Sequence, residues 1–324
     1  MGAPRVLVTG AAGYLGSQLI AALAADGPRR PAALVALDVR ELPARERLAG
    51  VAYATADIRA PGLAAILQRH AIDTVVHLAS IVTPGKNSDR EFEYSVDVLG
   101  TENLLKACVA AGVTKIVVSS SGAAYGYHAD NPAWIGEDAP LRGNQAFAYA
   151  WHKRLVEEML ADYRVRAPQL RQVVFRIGTI LGATVKNQIT DLFDKQRLIA
   201  IRGAASPFVF IWDRDVVGCM LEAVYSDKCG IYNVAGDGAL GVREIAARLG
   251  KRCVVLPAWL LRAVLAVLKP LGLTQYGPEQ VNFLRYRPVL DNRRLKEVFG
   301  YVPQKTTSEV FAFYLAARAR RGDG

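Results

Sequence analysis

The chain has 324 residues, of which 52% are hydrophobic, so it is long enough to bury a large core. Its formal net charge is +10, but the lysines and arginines are scattered and form no recognisable nucleic-acid-binding motif, so we expect no nucleic-acid partner. The four cysteines lack metal-ligand spacing, and neither a signal peptide nor a membrane-spanning run fits. We therefore expect a cytoplasmic protein with no metal site, no disulfide framework and no transmembrane segment.

The N-terminal residues have the pattern of a strand, a glycine-rich turn and a helix. The apolar run at 5–8 is followed by TGAAGYLG at 9–16, and helical spacing of apolar residues resumes after it. Small residues let the backbone approach a pyrophosphate, and a helix N-terminus offers unpaired N–H groups and a positive dipole end. Gly10, Gly13 and Gly16 have one more residue between the first two glycines than the common fingerprint, but their position predicts a dinucleotide site.

A second strand, at 33–37, ends at Asp38. This residue lies 22 positions after Gly16, close to the roughly 20 expected for a ribose-binding acid. A carboxylate there accepts hydrogen bonds from ribose hydroxyls and repels a 2′-phosphate, which favours NAD over NADP. Arg40 leaves the alternative open, because its guanidinium could pair with the extra phosphate if Asp38 turned away.

Three further β-rich runs are separated by helical stretches. They lie at 51–54, 73–76 and 115–118, and they lead into Asp57-Ile58, HLAS at 77–80 and SSS at 119–121. This alternation predicts an α/β fold with a doubly wound parallel sheet, in which ligands bind beyond the carboxyl ends of the strands. We expect Asp57, Ala79 and Ser121 at that edge, and we interpret His77 as a packed strand-end residue rather than a catalyst.

Tyr149 and Lys153 are spaced for a shared site on a helix. Residues four apart lie on one helix face, so the ammonium can stand beside the phenol. A free tyrosine has a pKa of about 10 and is a poor base near neutrality. We expect Lys153, helped by the positive ring of an oxidised nicotinamide, to lower the pKa of Tyr149 and make it a usable acid or base.

In their order along the chain, these motifs resemble those of the extended short-chain dehydrogenases/reductases, the NAD-dependent epimerase/dehydratase family. The resemblance implies a Rossmann-like NAD-binding domain at 1–180 and a smaller α+β substrate-binding lobe at 181–324, with some strands of the lobe returning to the main sheet. It implies that Tyr149 exchanges the proton, Lys153 holds the nicotinamide ribose and Ser121 hydrogen-bonds the reacting oxygen. It also implies cofactor contacts at Gly10, Gly13, Tyr14, Leu15, Gly16, Asp38, Asp57, Ile58, Leu78, Ala79, Ser80, Ser119, Tyr149, Lys153 and Ile177.

Several positions depart from the family pattern. Gly122 and Ala123 stand where family dehydratases carry an acidic pair, which argues against a sugar 4,6-dehydratase. Gly178 stands where epimerases often carry Asn, and the run around Phe208 supplies only apolar groups where they tend to carry an arginine. Asp97 replaces an Asn found in many relatives. The differences at Gly178, Phe208 and Asp97 weaken the assignment of a nucleotide-diphosphate sugar.

Two segments of the C-terminal half stand out. The stretch 257–269 is unusually apolar. We favour a buried lid or packing helix over a lining for a lipophilic substrate, and contact with a membrane surface is the least favoured interpretation. Downstream lies a basic cluster that is either a solvated face or a receptor for a diphosphate. Its members are Arg285, Arg287, Arg293, Arg294 and Lys296.

Three functions remain open from the sequence. The leading one is an NAD-dependent oxidoreductase of the epimerase type, which moves hydride at a secondary alcohol or ketone carbon of a nucleotide-sugar-like small molecule. The second is a simple alcohol dehydrogenase or ketone reductase for a lipophilic or steroid-like substrate, and the third is a cofactor-binding regulator without turnover. The resemblance further implies a homodimer formed through 90–111 and 148–164, for which Leu99, Leu104, Leu105 and Leu155 are the expected packing residues.

Overall fold

Parallel strands form the central sheet of the computed structural model, which describes residues 2–25, 27–82, 89–274 and 277–322. The strands of the chain are β1 (Arg5–Thr9), β2 (Ala33–Asp38), β3 (Ala52–Thr55), β4 (Thr74–His77), β5 (Lys115–Ser121), β6 (Arg171–Ile177), β7 (Thr179–Leu181), β8 (Arg197–Ile201), β9 (Pro207–Phe208), β10 (Phe210–Trp212), β11 (Gly230–Val234), β12 (Leu240–Gly241) and β13 (Arg252–Leu256). Seven of them make the central sheet, in the order β11-β6-β5-β4-β1-β2-β3. All its pairs are parallel, and Leu7 lies opposite both Val35 and Val75.

Helices cover both faces of this sheet. They are α1 (Tyr14–Ala25), α2 (Leu63–Arg69), α3 (Arg90–Tyr94), α4 (Gly100–Ala111), α5 (Ala148–Arg166), α6 (Gln188–Asp194), α7 (Asp213–Tyr225), α8 (Val242–Arg248), α9 (Ala258–Leu268), α10 (Gln280–Arg285) and α11 (Thr307–Arg320). A π-helical segment, Ser95–Leu99, joins α3 to α4. Because crossover helices bury both faces of a parallel sheet, its strands are apolar on both sides. Side chains of α1 and α7 form one core with the sheet, and those of α2, α4 and α5 form the other. The predicted α/β fold class is confirmed.

The residues after β6 form smaller units around an aromatic core. Strand β7 pairs with β10 and β8 with β13, both in parallel, whereas β9 and β12 are antiparallel. Phe193, Phe210 and Phe311 are fully buried, with ring centroids 5.5 to 6.2 Å apart. The strand β11 lies after residue 180 and joins the edge of the main sheet at β6. The boundary near residue 180 stays a prediction.

Two of the four leucines expected to pack a dimer are already used within the chain. Leu104 and Leu105 are 1% and 0% exposed and belong to the core beneath α4, so the prediction that they face a second subunit is wrong. Their spacing on an amphipathic helix is compatible with packing against a second subunit or against the sheet, and in this fold they pack against the sheet. Leu155 is partly buried against the same core. Leu99 alone of the four is well exposed, at 46%.

Candidate active site

A cavity of about 440 Å³ opens beyond the carboxyl ends of the central strands. This is the edge at which parallel α/β sheets bind ligands. The predicted site residues that line the cavity are Gly10, Gly13, Tyr14, Leu15, Gly16, Leu78, Ser80, Ser119, Ser121, Tyr149, Lys153 and Ile177. One space therefore joins the glycine turn to the Ser, Tyr and Lys side chains.

The glycine turn needs glycine for space. Gly10 has a φ of +68°, and a Cβ there would lie 2.7 Å from the backbone nitrogen of Ala79. A Cβ on Gly16 would overlap the carbonyl oxygen of Gly10. Helix α1 begins at Tyr14, directly after the turn, so its first N–H groups have no acceptor within the helix. A close backbone approach and a helix N-terminus suit a pyrophosphate, as NAD requires.

Asp38 ends β2 with its carboxylate turned towards the glycine turn. Its Oδ2 accepts a hydrogen bond of 2.9 Å from the backbone nitrogen of Ala12, and its Oδ1 lies 3.3 Å from Arg40 Nε. The Asp38 side chain is 7% exposed and does not line the cavity. Arg40 pairs with Asp38, so its guanidinium is not free to bind a 2′-phosphate. This arrangement favours NAD over NADP.

Three other residues predicted to contact the cofactor are not in the cavity lining. Asp57 is held by the Arg59 guanidinium, with the shortest contact 2.6 Å, and this pairing lowers the pKa of the Asp57 carboxyl. Ile58 is 6% exposed and packs beside Gly100, where a Cβ would lie 2.7 Å from its Cδ1. Ala79 lies beside Gly10, with its backbone nitrogen and Cα nearest to the glycine turn. Their contacts with an adenine or a cofactor stay predictions.

Ser121 and Tyr149 meet at the end of β5. The strand stops there because Ser121 caps a short 3₁₀ turn, Gly122–Tyr125, its Oγ accepting from the Ala123 nitrogen at 3.2 Å. The same side chain also interacts with the Tyr149 phenol and favours its ionised form. Ser121 thus serves both as a turn residue and as a partner of the predicted proton carrier.

Lys153 lies one helical turn after Tyr149 on α5, and its Nζ is 5.6 Å from the centre of the Tyr149 ring. The ammonium donates a 3.0 Å hydrogen bond to the carbonyl oxygen of Ser119. The predicted lowering of the Tyr149 pKa by Lys153 together with an oxidised nicotinamide is not present in the protein alone, and for the protein with its cofactor it stays a prediction. Burial raises the pKa of Tyr149 to about 12, and the Ser121 hydroxyl opposes this shift only in part. Burial also lowers the pKa of Lys153.

His77 is a structural residue, as expected. Its ring nitrogens lie 2.8 Å from Thr9 Oγ1 and 2.9 Å from Thr101 Oγ1. The Thr101 hydroxyl donates to the carbonyl oxygen of Asp97 at 2.6 Å, so His77 Nε2 must be the donor to Thr101. Burial lowers the pKa of His77 to about 3, which keeps the ring neutral.

A buried ion pair beneath the site was not anticipated from the sequence. Arg176 on β6 grips Glu157 on α5 through two nitrogens, and its Nη2 is 2.7 Å from Oε2. Glu157 Oε1 also accepts a 2.5 Å bond from Ser120, the neighbour of Ser121. Both partners are under 5% exposed. An acidic residue on the face of α5 that turns towards the sheet is the one sequence feature from which this ion pair could have been predicted.

The far wall of the cavity is mostly apolar and contains one guanidinium. Val185, Ile189 and Phe208 contribute to the apolar surface. Arg287 lies over the Phe208 ring, 4.0 Å from its centre, and its Nε is buried without a hydrogen-bond acceptor among the described residues. Burial lowers the pKa of Arg287 to about 10, so it remains a cation at neutral pH.

The structure divides the predicted basic cluster. Only Arg287 lines the cavity. Three others pair with carboxylates at the surface, Arg293 with Asp291, Arg294 with Asp138 and Lys296 with Asp237. Arg285 lies over the ring of Tyr286. The solvated interpretation holds for those three residues, and Arg287 is the member placed to meet a ligand.

Helix α9 does not line the cavity, so the proposal of a substrate lining is wrong for its residues, all of which are described. It packs through one face, where Leu261 is 8% exposed, while Trp259 is 70% exposed. The interpretation as a packing helix therefore holds for that face, and nothing in the described part of the structure supports a lid over the cavity. No helix of the described residues has the length and apolar character needed to cross a membrane.

Comparisons with known proteins agree with this geometry. Residues 6–235 match the model described as the NAD dependent epimerase/dehydratase family. A UDP-glucose 4-epimerase of Mycolicibacterium smegmatis is 35% identical, over 95% of this chain and 96% of that protein. The solved structure of MoeE5 with UDP-glucose and NAD is 25% identical with a TM-score of 0.73, covering 99% and 100% of the two chains. DesIV, a dTDP-glucose 4,6-dehydratase of Streptomyces venezuelae, has a TM-score of 0.74 at 24% identity, covering 98% of each chain.

Proposed function

Because the chain belongs to the NAD-dependent epimerase/dehydratase family, we propose that it is an epimerase-type oxidoreductase for a nucleotide-sugar-like substrate. One observation carries the proposal: Ser121, Tyr149 and Lys153 line the same cavity as the glycine turn. The epimerase relatives and the sugar-nucleotide ligand of a neighbouring structure support this substrate class.

The proposed chemistry assigns one task to each side chain. NAD, when bound, supplies reversible hydride transfer at a carbinol carbon. Tyr149 exchanges the hydroxyl proton of that carbon, and Ser121 hydrogen-bonds the reacting oxygen as charge develops on it. The Lys153 ammonium holds the nicotinamide ribose and, with the cationic cofactor, opposes the burial that otherwise raises the pKa of Tyr149 to about 12.

Arg287 supports an anionic substrate. It is a cation in the cavity wall, and it forms no ion pair with any carboxylate of the described residues. A guanidinium binds phosphate oxygens in a fixed fork geometry, so a diphosphate is a fitting partner. The proposed orientation has the diphosphate at Arg287 and the sugar at Tyr149.

Dehydration is not part of the proposed activity. An acidic side chain is needed next to the active-site hydroxyl, yet residue 122 is glycine, and a Cβ there would lie 2.9 Å from Leu290 Cδ2. Ala123 follows it and carries no proton donor. The space for an acid is therefore filled by Leu290. The fold is shared with a dehydratase, so this distinction depends on side chains alone.

A second candidate function follows from the apolar wall. Val185, Ile189, Phe208 and Leu290 would suit a lipophilic alcohol or ketone, which a simple dehydrogenase would oxidise or reduce with release of the cofactor. The two activities differ in cofactor balance. An epimerase converts substrate with no net change in NADH, whereas the dehydrogenase accumulates NADH in proportion to product.

The test is incubation of the protein and NAD with UDP-glucose or UDP-galactose, with products followed by proton NMR and NADH by absorbance. We expect interconversion without net NADH. Stoichiometric NADH would favour the dehydrogenase. NAD binding without turnover of any sugar nucleotide or lipophilic alcohol would contradict both and leave the regulator.

We also propose a homodimer that packs α4 and α5 against their copies. Phe92, Leu99 and Val109 are 45%, 46% and 37% exposed on the segment from α3 to α4, which gives that surface apolar contacts to bury. Sedimentation velocity of the wild type and of Leu99→Asp tests it. We expect a dimer that the charge dissociates, and a wild-type monomer would refute it.

A further inference from the structure

Asp97 is a buried carboxylate beside the active-site helix. It lies on the π-helical segment Ser95–Leu99 and is 3% exposed. Its Oδ1 accepts hydrogen bonds of 2.8 Å from the Ile81 nitrogen and 3.0 Å from Ser80 Oγ. Its Oδ2 lies 3.1 Å from His152 Nδ1. Within the described residues, these polar contacts of the carboxylate are with groups fixed in place by the fold, and burial keeps the charge away from bulk water.

Asp97 contacts α5 through His152, at a position between the two functional residues of that helix. His152 is 1% exposed, lies between Tyr149 and Lys153 on the helix, and packs edge-on against Tyr94 at 5.7 Å between ring centres. A hydrogen bond to this residue fixes the rotation of the helical turn that carries both side chains. The contact therefore has a geometric role as well as an electrostatic one.

The charges around Asp97 leave Lys153 dependent on it. The titratable groups that interact with Asp97 are Tyr149, His152 and Lys153 on α5 and the neutral His77 on β4. Its negative charge raises the pKa of Lys153 and of Tyr149, and burial lowers that of Lys153.

The other acid that acts on Lys153 is Glu157. That carboxylate is already engaged by the Arg176 guanidinium, which contacts both of its oxygens. Its effect on Lys153 is therefore opposed by an adjacent positive charge, although it still raises the pKa of Lys153. Among the described residues no guanidinium or ammonium contacts Asp97, whose contacts are a backbone nitrogen, a hydroxyl and an imidazole.

We infer that Asp97 is a positioning residue whose carboxylate keeps Lys153 an ammonium, and that it thereby sets the alkaline end of the range in which this protein holds its cofactor and turns over. The turnover half of this inference rests on the proposed function. The cofactor half needs only NADH binding.

The test measures the affinity for NADH by fluorescence from neutral to alkaline pH, in the wild type and in Asp97→Asn. The amide keeps the size of the side chain and can still accept from Ser80 and Ile81. Without the negative charge, the loss of affinity at alkaline pH should begin about one pH unit lower, as expected when a buried charge that raises the pKa of Lys153 is removed. Asp89→Asn, the same change at the exposed N-cap of α3, is the matched control and should leave the profile unchanged.

A second variant assigns the titrating group. Lys153→Arg cannot lose its charge in this range, so its NADH affinity should not fall at alkaline pH. The inference is overturned if Asp97→Asn keeps the wild-type profile, if Asp89→Asn shifts as much, or if Lys153→Arg retains the alkaline loss. A correct NADH profile without turnover of any sugar nucleotide would contradict the proposed function and leave the role of Asp97 intact.

Discussion

Replacing Arg287 by methionine should weaken substrate binding without weakening the fold. Arg287 lies over Phe208 in the cavity wall, and its Nε has no acceptor in the described part of the chain. Methionine keeps much of the apolar contact and removes the charge. If the guanidinium binds a diphosphate, it contributes about 1.5–3 kcal/mol through a charge-assisted hydrogen bond, which is about 10- to 150-fold in affinity.

The free energy of unfolding should change little in this variant. The contact with the Phe208 ring is worth about 0.5–2 kcal/mol. Its loss is offset because a buried cation without a partner is itself costly, and burial already lowers the pKa of Arg287 to about 10. This combination separates a binding residue from a structural one.

Titration calorimetry with UDP, together with thermal unfolding, measures both effects. Arg293→Met is the control, because Arg293 belongs to the same sequence cluster but is 74% exposed and pairs with Asp291. We expect weaker UDP binding in Arg287→Met alone, with NADH affinity and Tm unchanged. Wild-type UDP affinity in Arg287→Met, or an equal loss in Arg293→Met, would refute the reasoning.

Three further changes test other parts of the site. Tyr149→Phe should bind NADH normally and reduce kcat by at least about 100-fold; because burial raises the pKa of Tyr149 and oxidation needs the phenolate, wild-type oxidation should speed up with rising pH until cofactor is lost at the alkaline end, and any residual rate of the variant should lack that rise. Gly122→Asp should lower Tm through its clash with Leu290 and give no dehydrated product, and a dehydrated sugar nucleotide detected by mass spectrometry would contradict our account. Glu157→Gln should cost about 3–5 kcal/mol in urea unfolding, because it leaves Arg176 buried without a full counter-charge, and a cost below about 1 kcal/mol would show that the pair is not a major support.

The convergence of the site was predictable from the sequence because parallel strands bring their carboxyl ends to one edge. Gly10 follows β1, Leu78 follows β4 and Ser121 ends β5, so their meeting follows from strand order alone. The helical spacing of Tyr149 and Lys153 then needs only one register to face that edge. The strand ends and the helical spacing are set by short segments of the sequence, so both could be predicted without knowledge of the rest of the fold.

What the sequence could not supply depends on burial. The spacing of Tyr149 and Lys153 predicts a lowered phenol pKa, but desolvation acts on both groups and dominates the phenol in the protein alone. Leu104 and the apolar face of α9 show the same limit in opposite directions. The leucine is buried within its own chain, whereas Trp259 is 70% exposed. An apolar pattern in the sequence identifies the apolar face of a helix, but it does not identify what packs against that face.

Arg287 illustrates the third limit. Five basic residues between 285 and 296 are alike in the sequence, and their roles separate only when carboxylates from distant segments are placed beside them. Asp138 and Asp237 each form an ion pair with one member of the cluster. Arg285 and Arg287 have no carboxylate partner among the described residues, and of these two only Arg287 lies in the cavity wall.

The most direct test of the central claim is isotope retention. UDP-glucose carrying deuterium at the carbon whose configuration inverts is incubated with the NAD-loaded wild type and with Tyr149→Phe, and the products are examined by mass spectrometry and NMR. We predict that the wild type yields the epimer with its deuterium kept on that carbon, while Tyr149→Phe yields almost none. Deuterium lost to solvent, or undiminished conversion by Tyr149→Phe, would contradict hydride transfer and return at this site.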